Sequence, residues 1–88
     1  MRDVLVAVDL ETTGLNPASD RIIEIGAVKF QGDEVLDEFQ SFVNPGGPVP
    51  PFITQLTGIT SEDVEDAPRV QAVLPPLRRF IGSAPVIG

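Results

Sequence analysis

Asp9 and Glu11 stand two positions apart at the end of the apolar run Val4-Leu5-Val6-Ala7-Val8. In a β-strand, side chains alternate between faces, so both carboxylates would point to the same side. Two adjacent carboxylates repel each other, and a divalent cation relieves that repulsion. Hard oxygen donors with open coordination positions suit Mg²⁺ or Mn²⁺, held by few carboxylates plus substrate phosphate. Two such ions, about 4 Å apart, activate a water and stabilise the leaving oxygen of a phosphodiester. The spacing alone leaves a second reading open, a solvated strand end with no function, because carboxylates are common in loops.

The rest of the composition narrows the chemistry. With no histidine and no cysteine among 88 residues, the chain has no disulfide framework, no Cys/His zinc site and no histidine base. Acid–base or metal chemistry therefore falls to carboxylates. The net charge of −7 argues against a nucleic-acid surface, which is usually basic. Bound divalent cations would reverse the local field and weaken that objection. The apolar run is far too short to span a membrane, and Asp9 and Glu11 interrupt it, so neither a membrane segment nor a signal peptide is expected and the location reads as cytoplasmic.

The elements that must hold the two carboxylates follow from local pattern. Val4 to Leu10 is apolar on both faces until Asp9, as in a strand near the middle of a sheet, and its three valines favour strand over buried helix. Gly14, Asn16-Pro17 and Ser19-Asp20 mark a loop. Ile22 to Phe30 reads as a second strand. Gly32-Asp33 suits a two-residue type II′ hairpin turn, and Glu34 to Val43 returns with Val35, Asp37, Phe39, Ser41 and Val43 on one face. Asn44 to Pro51 contains four prolines and two glycines, so regular structure stops there. Phe52 to Leu56 suits a helical turn closed by Gly58, and Thr60 or Ser61 can cap a second turn over residues 62–65.

Val70, Val73, Leu74, Leu77, Phe80 and Ile81 follow helical spacing, with Pro68 at the first position and Gly82 at the end. Pro75-Pro76 removes two backbone donors and predicts a kink or a break. Ala84 to Gly88 reads as the start of a fourth strand. The fold class is α/β: a three-stranded antiparallel meander, a helix, and a fourth strand just begun. A chain ending inside a strand suggests an unfinished domain. The acidic run of residues 62–66 reads as a solvated helix face, the Val70–Ile81 stripe as core, and Arg78-Arg79 as ordinary exposed arginines.

The string Val6-Ala7-Val8-Asp9-Leu10-Glu11-Thr12-Thr13-Gly14-Leu15-Asn16-Pro17 resembles the first catalytic motif of the DnaQ-like, or DEDD, 3′–5′ exonuclease superfamily. The resemblance continues through Arg21-Ile22-Ile23-Glu24-Ile25-Gly26-Ala27-Val28, Phe42-Val43-Asn44-Pro45 and Leu56-Thr57-Gly58-Ile59-Thr60. Four blocks in order make coincidence improbable. The resemblance extends over essentially all of residues 1–88 and implies the N-terminal part of a single exonuclease domain with a mixed, ribonuclease-H-like sheet.

It further implies that Asp9 and Glu11 are two of four acidic ligands to a pair of Mg²⁺ or Mn²⁺ ions. Thr12 and Thr13 would contact the terminal nucleotide, and Leu56, Gly58 and Ile59 would form a wall against its base. Glu24 matches a family residue but reads as a hydrogen-bonded strand residue with no catalytic role. The family's later motifs, beginning with a His-Asn pair, are not in these residues; the Leu-Thr-Gly-Ile-Thr block is more like the His type than the Tyr type. The implied partner is the 3′ end of single-stranded DNA or RNA, with a polymerase or helicase on the same chain or as a subunit. The exonuclease domains of the DNA polymerase III epsilon subunit, of DinG-type helicases and of UvrC-like nuclease modules are all similar. The alternative is a non-catalytic fragment or interaction module that keeps only the first metal-binding motif.

Overall fold

The computed structural model describes residues 3–16 and 18–88; Pro17, part of the loop expected after the first strand, lies outside them. Three strands come first: β1 (Val4–Thr12), β2 (Ile22–Gln31) and β3 (Glu34–Phe42). Three helices follow, α1 (Pro51–Thr57), α2 (Ser61–Glu65) and α3 (Val70–Ile81), and then β4 (Val86–Ile87). The sheet order is β3-β2-β1-β4. The first three strands are antiparallel, and β4 joins β1 in parallel, so the sheet is mixed as expected. β1 is internal, but its β4 edge is paired only at Val6 and Ala7. Gly88 continues that edge. A Cβ there would meet the Val8 carbonyl at 2.9 Å, so only glycine fits without a shift.

The hairpin forms where the turn chemistry places it. Gln31 pairs with Glu34 across a two-residue loop, and Gly32 takes a φ of 59°. Asp33 has no positive φ, which is the type II′ arrangement.

Two bulges change what strict alternation predicts. Lys29 pairs with Asp37 and Phe30 with Val35, which leaves Leu36 as an extra residue in β3. Val35 therefore passes to the opposite side of the sheet from Phe39, contrary to the expected common face. At the other end of β2, Glu11 pairs with Glu24 but Thr12 with Ile22, so Ile23 is extra. Ile22 then packs against one core and Ile23 enters another.

Those cores divide the molecule. Val6, Ile25, Ala27 and Val43 meet Val73 and Leu77 of α3. Phe39 and Phe80 extend this layer with ring centroids 5.7 Å apart, and the Lys29 amine lies 4.9 Å from the Phe80 centroid. The second core joins Ile23 to Val49, Ile53, Ile59 and Val64, beneath α1 and α2.

α3 corrects the expected break. It runs through Pro75 and Pro76 as one helix. These prolines forgo bonds to the carbonyls of Gln71 and Ala72, and both of those positions are exposed. Water can satisfy the freed carbonyls while Val73 and Leu77 hold the buried face. The helix also starts later than Pro68 suggests: Arg69 is the N-cap, and the Pro68 carbonyl accepts from Asn44 N–H at 2.9 Å.

The short helices match their local signals. Gly58 closes α1 with a φ of 81°. Thr60 caps α2 through a reciprocal pair: its hydroxyl accepts from Asp63 N–H at 3.1 Å, and its own N–H donates to Asp63 Oδ2 at 2.9 Å. The remaining acids of residues 62–66 are exposed, as a solvated face requires. Thr60→Ala is expected to cost about 1 kcal/mol and to lower the melting temperature of the complete domain by roughly 2–4 °C, which a thermal unfolding scan checks.

Candidate active site

Asp9 and Glu11 lie on β1, opposite Gly26 and Glu24 of β2. Val6 and Val8, on the alternate positions, pack in the α3 core, so the two carboxylates project from the other face. Asp9 is exposed and Glu11 half-buried. A shallow depression on this face is lined by strand residues alone, including Ala7, Asp9, Gly26, Val28 and Gln40. Beside Asp9, Gly26 contributes no side chain, and a Cβ there would find nothing nearer than the Asp9 carbonyl at 4.0 Å. Glu24 is the cross-strand neighbour of Glu11, but Gln40 Nε2 donates to its Oε2 at 2.9 Å. That bond draws the Glu24 carboxylate toward β3, in line with its reading as a hydrogen-bonded strand residue. Among the described residues no set of three or more acidic groups comes together as a metal cage.

Past Glu11 the chain turns into a loop and meets α1. Between them lies a cleft of about 470 Å³. Glu11 and Thr12 stand at its strand end, and Leu10, Leu15, Phe52 and Leu56 supply apolar walls. All four are exposed: Leu15 fully, Leu56 at 79%, Phe52 at 64% and Leu10 at 47%. Large apolar side chains held out of the core beside carboxylates make a surface for a flat, partly apolar ligand carrying a charged group.

The structure sorts the residues singled out from sequence. Glu11, Thr12 and Leu56 meet at the cleft, with Asp9 on the same face of β1. Thr13 turns inward instead and is 8% exposed. Its hydroxyl donates to Asp20 Oδ1 and accepts from Arg21 N–H, each at 3.0 Å. Ile59 is buried in the second core, and Gly58 serves as the α1 cap. Neither is among the residues lining the cleft. Leu10, Leu15 and Phe52 were not singled out. Phe52 and Leu56 are four apart on one helix and share a stripe, and Leu15 is a large apolar residue in a loop marked by Gly14 and Asn16. Both are signals the sequence carries.

With this geometry established, known proteins place the chain. The exonuclease family model RNase_T matches residues 6–87. The chain belongs to this exonuclease family, which is of the DnaQ-like kind. DNA polymerase III PolC-type from Caldanaerobacter subterraneus subsp. tengcongensis is 48% identical over 82 residues, which is 93% of this chain and 6% of that protein. A Mycobacterium tuberculosis protein whose name describes a bifunctional exonuclease/endonuclease is 49% identical over 88 residues, 93% of this chain and 14% of that protein. The chain thus spans a small fraction of the curated relatives it matches.

Among solved structures, the nuclease domain of 3′hExo, a DEDDh family member bound to rAMP, aligns with a TM-score of 0.81 at 30% identity. It covers 91% of this chain and 44% of that one. Exonuclease X in complex with 5′ overhanging duplex DNA aligns with a TM-score of 0.72 at 29% identity, over 83% of this chain and 42% of that one. Exonuclease I, at 19% identity and a TM-score of 0.78, shares the fold. The sheet is the ribonuclease-H-like mixed sheet of these exonucleases.

Proposed function

We propose that this chain is the N-terminal part of a 3′–5′ exonuclease domain that removes nucleotides from the 3′ end of a DNA strand, in proofreading or repair. The observation that carries the reading is the juxtaposition at the end of β1: Asp9 and Glu11 on one face, and an apolar cleft with Phe52 and Leu56 starting at Glu11. A terminal base fits the apolar walls, where stacking on an aromatic ring contributes about 1–3 kcal/mol per base. Its phosphodiester then falls toward the carboxylates.

Both acids offer hard oxygens, one exposed and one half-buried, a donor set that suits Mg²⁺ or Mn²⁺. Asp9 and Glu11 would hold the ions, which supply activation of water and neutralisation of developing negative charge. Thr12, with its hydroxyl donating to the Gly14 carbonyl, keeps the strand end shaped against the nucleotide. The third and fourth acids and the general base are proposed to lie outside these 88 residues.

DNA is favoured over RNA because the PolC-type DNA polymerases match at up to 48% identity. The related 3′-exonuclease seen in recognition of a histone mRNA stem-loop matches at 30%. A polymerase or second nuclease module on the same chain is the partner these relatives suggest. A cytoplasmic location accords with that substrate, and no helix among the described residues is long and apolar enough to cross a membrane.

The test uses the complete protein that carries this segment, with Mg²⁺ or Mn²⁺ and 5′-labelled single strands. Stepwise shortening from a free 3′ end is expected, with a 3′-phosphorylated strand resisting and a circular strand untouched. Cleavage of the circle at internal bonds would show an endonuclease. Faster removal from RNA than from DNA of the same sequence would overturn the substrate assignment.

A further inference from the structure

Asp20 is absent from the cleft lining, yet it organises the loop that forms one wall. Its Oδ1 accepts from the Thr13 hydroxyl at 3.0 Å, and its Oδ2 accepts from Asn16 N–H at 2.7 Å. Its own N–H donates to the Asn16 carbonyl at 2.7 Å, closing the loop from the other side. The Thr13 hydroxyl accepts from Arg21 N–H at 3.0 Å, and Thr13 N–H donates to the Arg21 carbonyl at 2.9 Å. Gly14 lies against the same carboxylate: a Cβ there would come within 2.6 Å of Asp20 Oδ2. The loop is wrapped around one side chain, with a glycine where the wrapping is tightest.

We propose that Asp20 is a positioning residue for the nucleotide cleft, its carboxylate holding residues 13–16 so that Thr12 and Leu15 form a wall beside Glu11. This rests on the exonuclease reading. The chemistry calls for a carboxylate in particular. Both of its partners are donors, the Thr13 O–H and the Asn16 N–H, and an ionised carboxylate accepts from both. An asparagine has one accepting oxygen and presents an amide donor to the other partner. The Thr13 hydroxyl already accepts from Arg21 N–H, so it is poorly placed to reverse its role. Glutamate would push the carboxylate farther into the space closed by Gly14.

The experiment compares Asp20→Asn and Thr13→Val with the parent in the complete protein. The readouts are kcat and KM on single-stranded DNA with Mg²⁺, binding of deoxythymidine 5′-monophosphate, and the melting temperature. Displacing one wall of the cleft weakens ground-state and transition-state binding alike, so KM and the mononucleotide Kd are expected to rise about 10-fold or more, with kcat changing less. Thr13→Ser keeps the hydroxyl and is expected to restore parent values. A fall in melting temperature with KM and Kd unchanged would show a purely structural Asp20 and overturn the proposal. If Asp20→Asn fails to fold, the Thr13 pair decides by the same criterion: parent-like KM and Kd in Thr13→Val overturn it. Asp9→Ala is run in parallel. Its full activity would sink the exonuclease reading itself, whereas an inactive Asp9→Ala beside a parent-like Asp20→Asn would sink only this inference.

Discussion

Asp9→Ala and Glu11→Ala are each expected to lower cleavage by the complete protein at least ~10²-fold, since each removes a proposed ligand to the ions that stabilise charge developing in the transition state. The loss should appear mainly in kcat, because neither carboxylate supplies the apolar wall proposed to bind the base. Glu24→Gln is the control that gives the result its meaning. Glu24 sits directly opposite Glu11 and carries the same charge, so a general electrostatic role for acidic residues on this face would affect both alike. Its carboxylate is engaged by Gln40 Nε2, and a glutamine there keeps an accepting oxygen for that bond. Activity near the parent's level is expected in Glu24→Gln. Equal losses in Glu11→Ala and Glu24→Gln would mean that charge density, and not ligation by particular residues, is what matters. Retained activity in excess chelator would remove the metal from the proposal altogether.

What could be read from sequence and what could not divide along a physical line. Features set within a few residues were legible. The Gly32-Asp33 turn, the Gly58 cap, the Thr60 cap and the same-side pair Asp9 and Glu11 each depend on local geometry. Features set by two elements meeting were not. The extra residues Leu36 and Ile23 exist only relative to a partner strand, and the first sends Val35 to the face opposite the expected one. Thr13 sits beside Thr12 in the motif, yet only the arrangement of Asp20 and Arg21 shows that its hydroxyl is spent inside the loop. Ile59 lies one residue beyond the α1 cap but falls into the core that α2 completes. Pro75-Pro76 does not break α3, because the local rule counts lost bonds without knowing whether water can reach the freed carbonyls. The family resemblance reached the right fold. It did not separate cleft residues from core residues within the same motif.

That separation gives the second large effect, on two adjacent residues of α1. Phe52 is 64% exposed on the wall of the cleft, while Ile53, which also borders the cleft, is only 5% exposed and belongs to the second core with Ile23, Val49, Ile59 and Val64. Truncating a buried isoleucine costs about 2–5 kcal/mol through lost burial and the cavity left behind. Native domains have a total stability of roughly 5–15 kcal/mol, so Ile53→Ala should remove a large fraction of it. Its expected signature is a fall in melting temperature of about 4 °C or more, at roughly 2–4 °C per kcal/mol for a domain of 150–250 residues. Phe52→Ala gives up little burial, and surface truncations usually stay within about 0.5 kcal/mol. The stacking surface it removes is worth about 1–3 kcal/mol per base, so KM for single-stranded DNA should rise by roughly 5- to 150-fold with the melting temperature nearly unchanged. Thermal unfolding and steady-state kinetics on the two variants make the comparison. A Phe52→Ala protein with normal KM would mean that no base rests on this helix. An Ile53→Ala protein that melts with the parent would mean that α1 and α2 do not close a core of their own, and the cleft would then lose the rigid wall that the proposed stacking of a base requires.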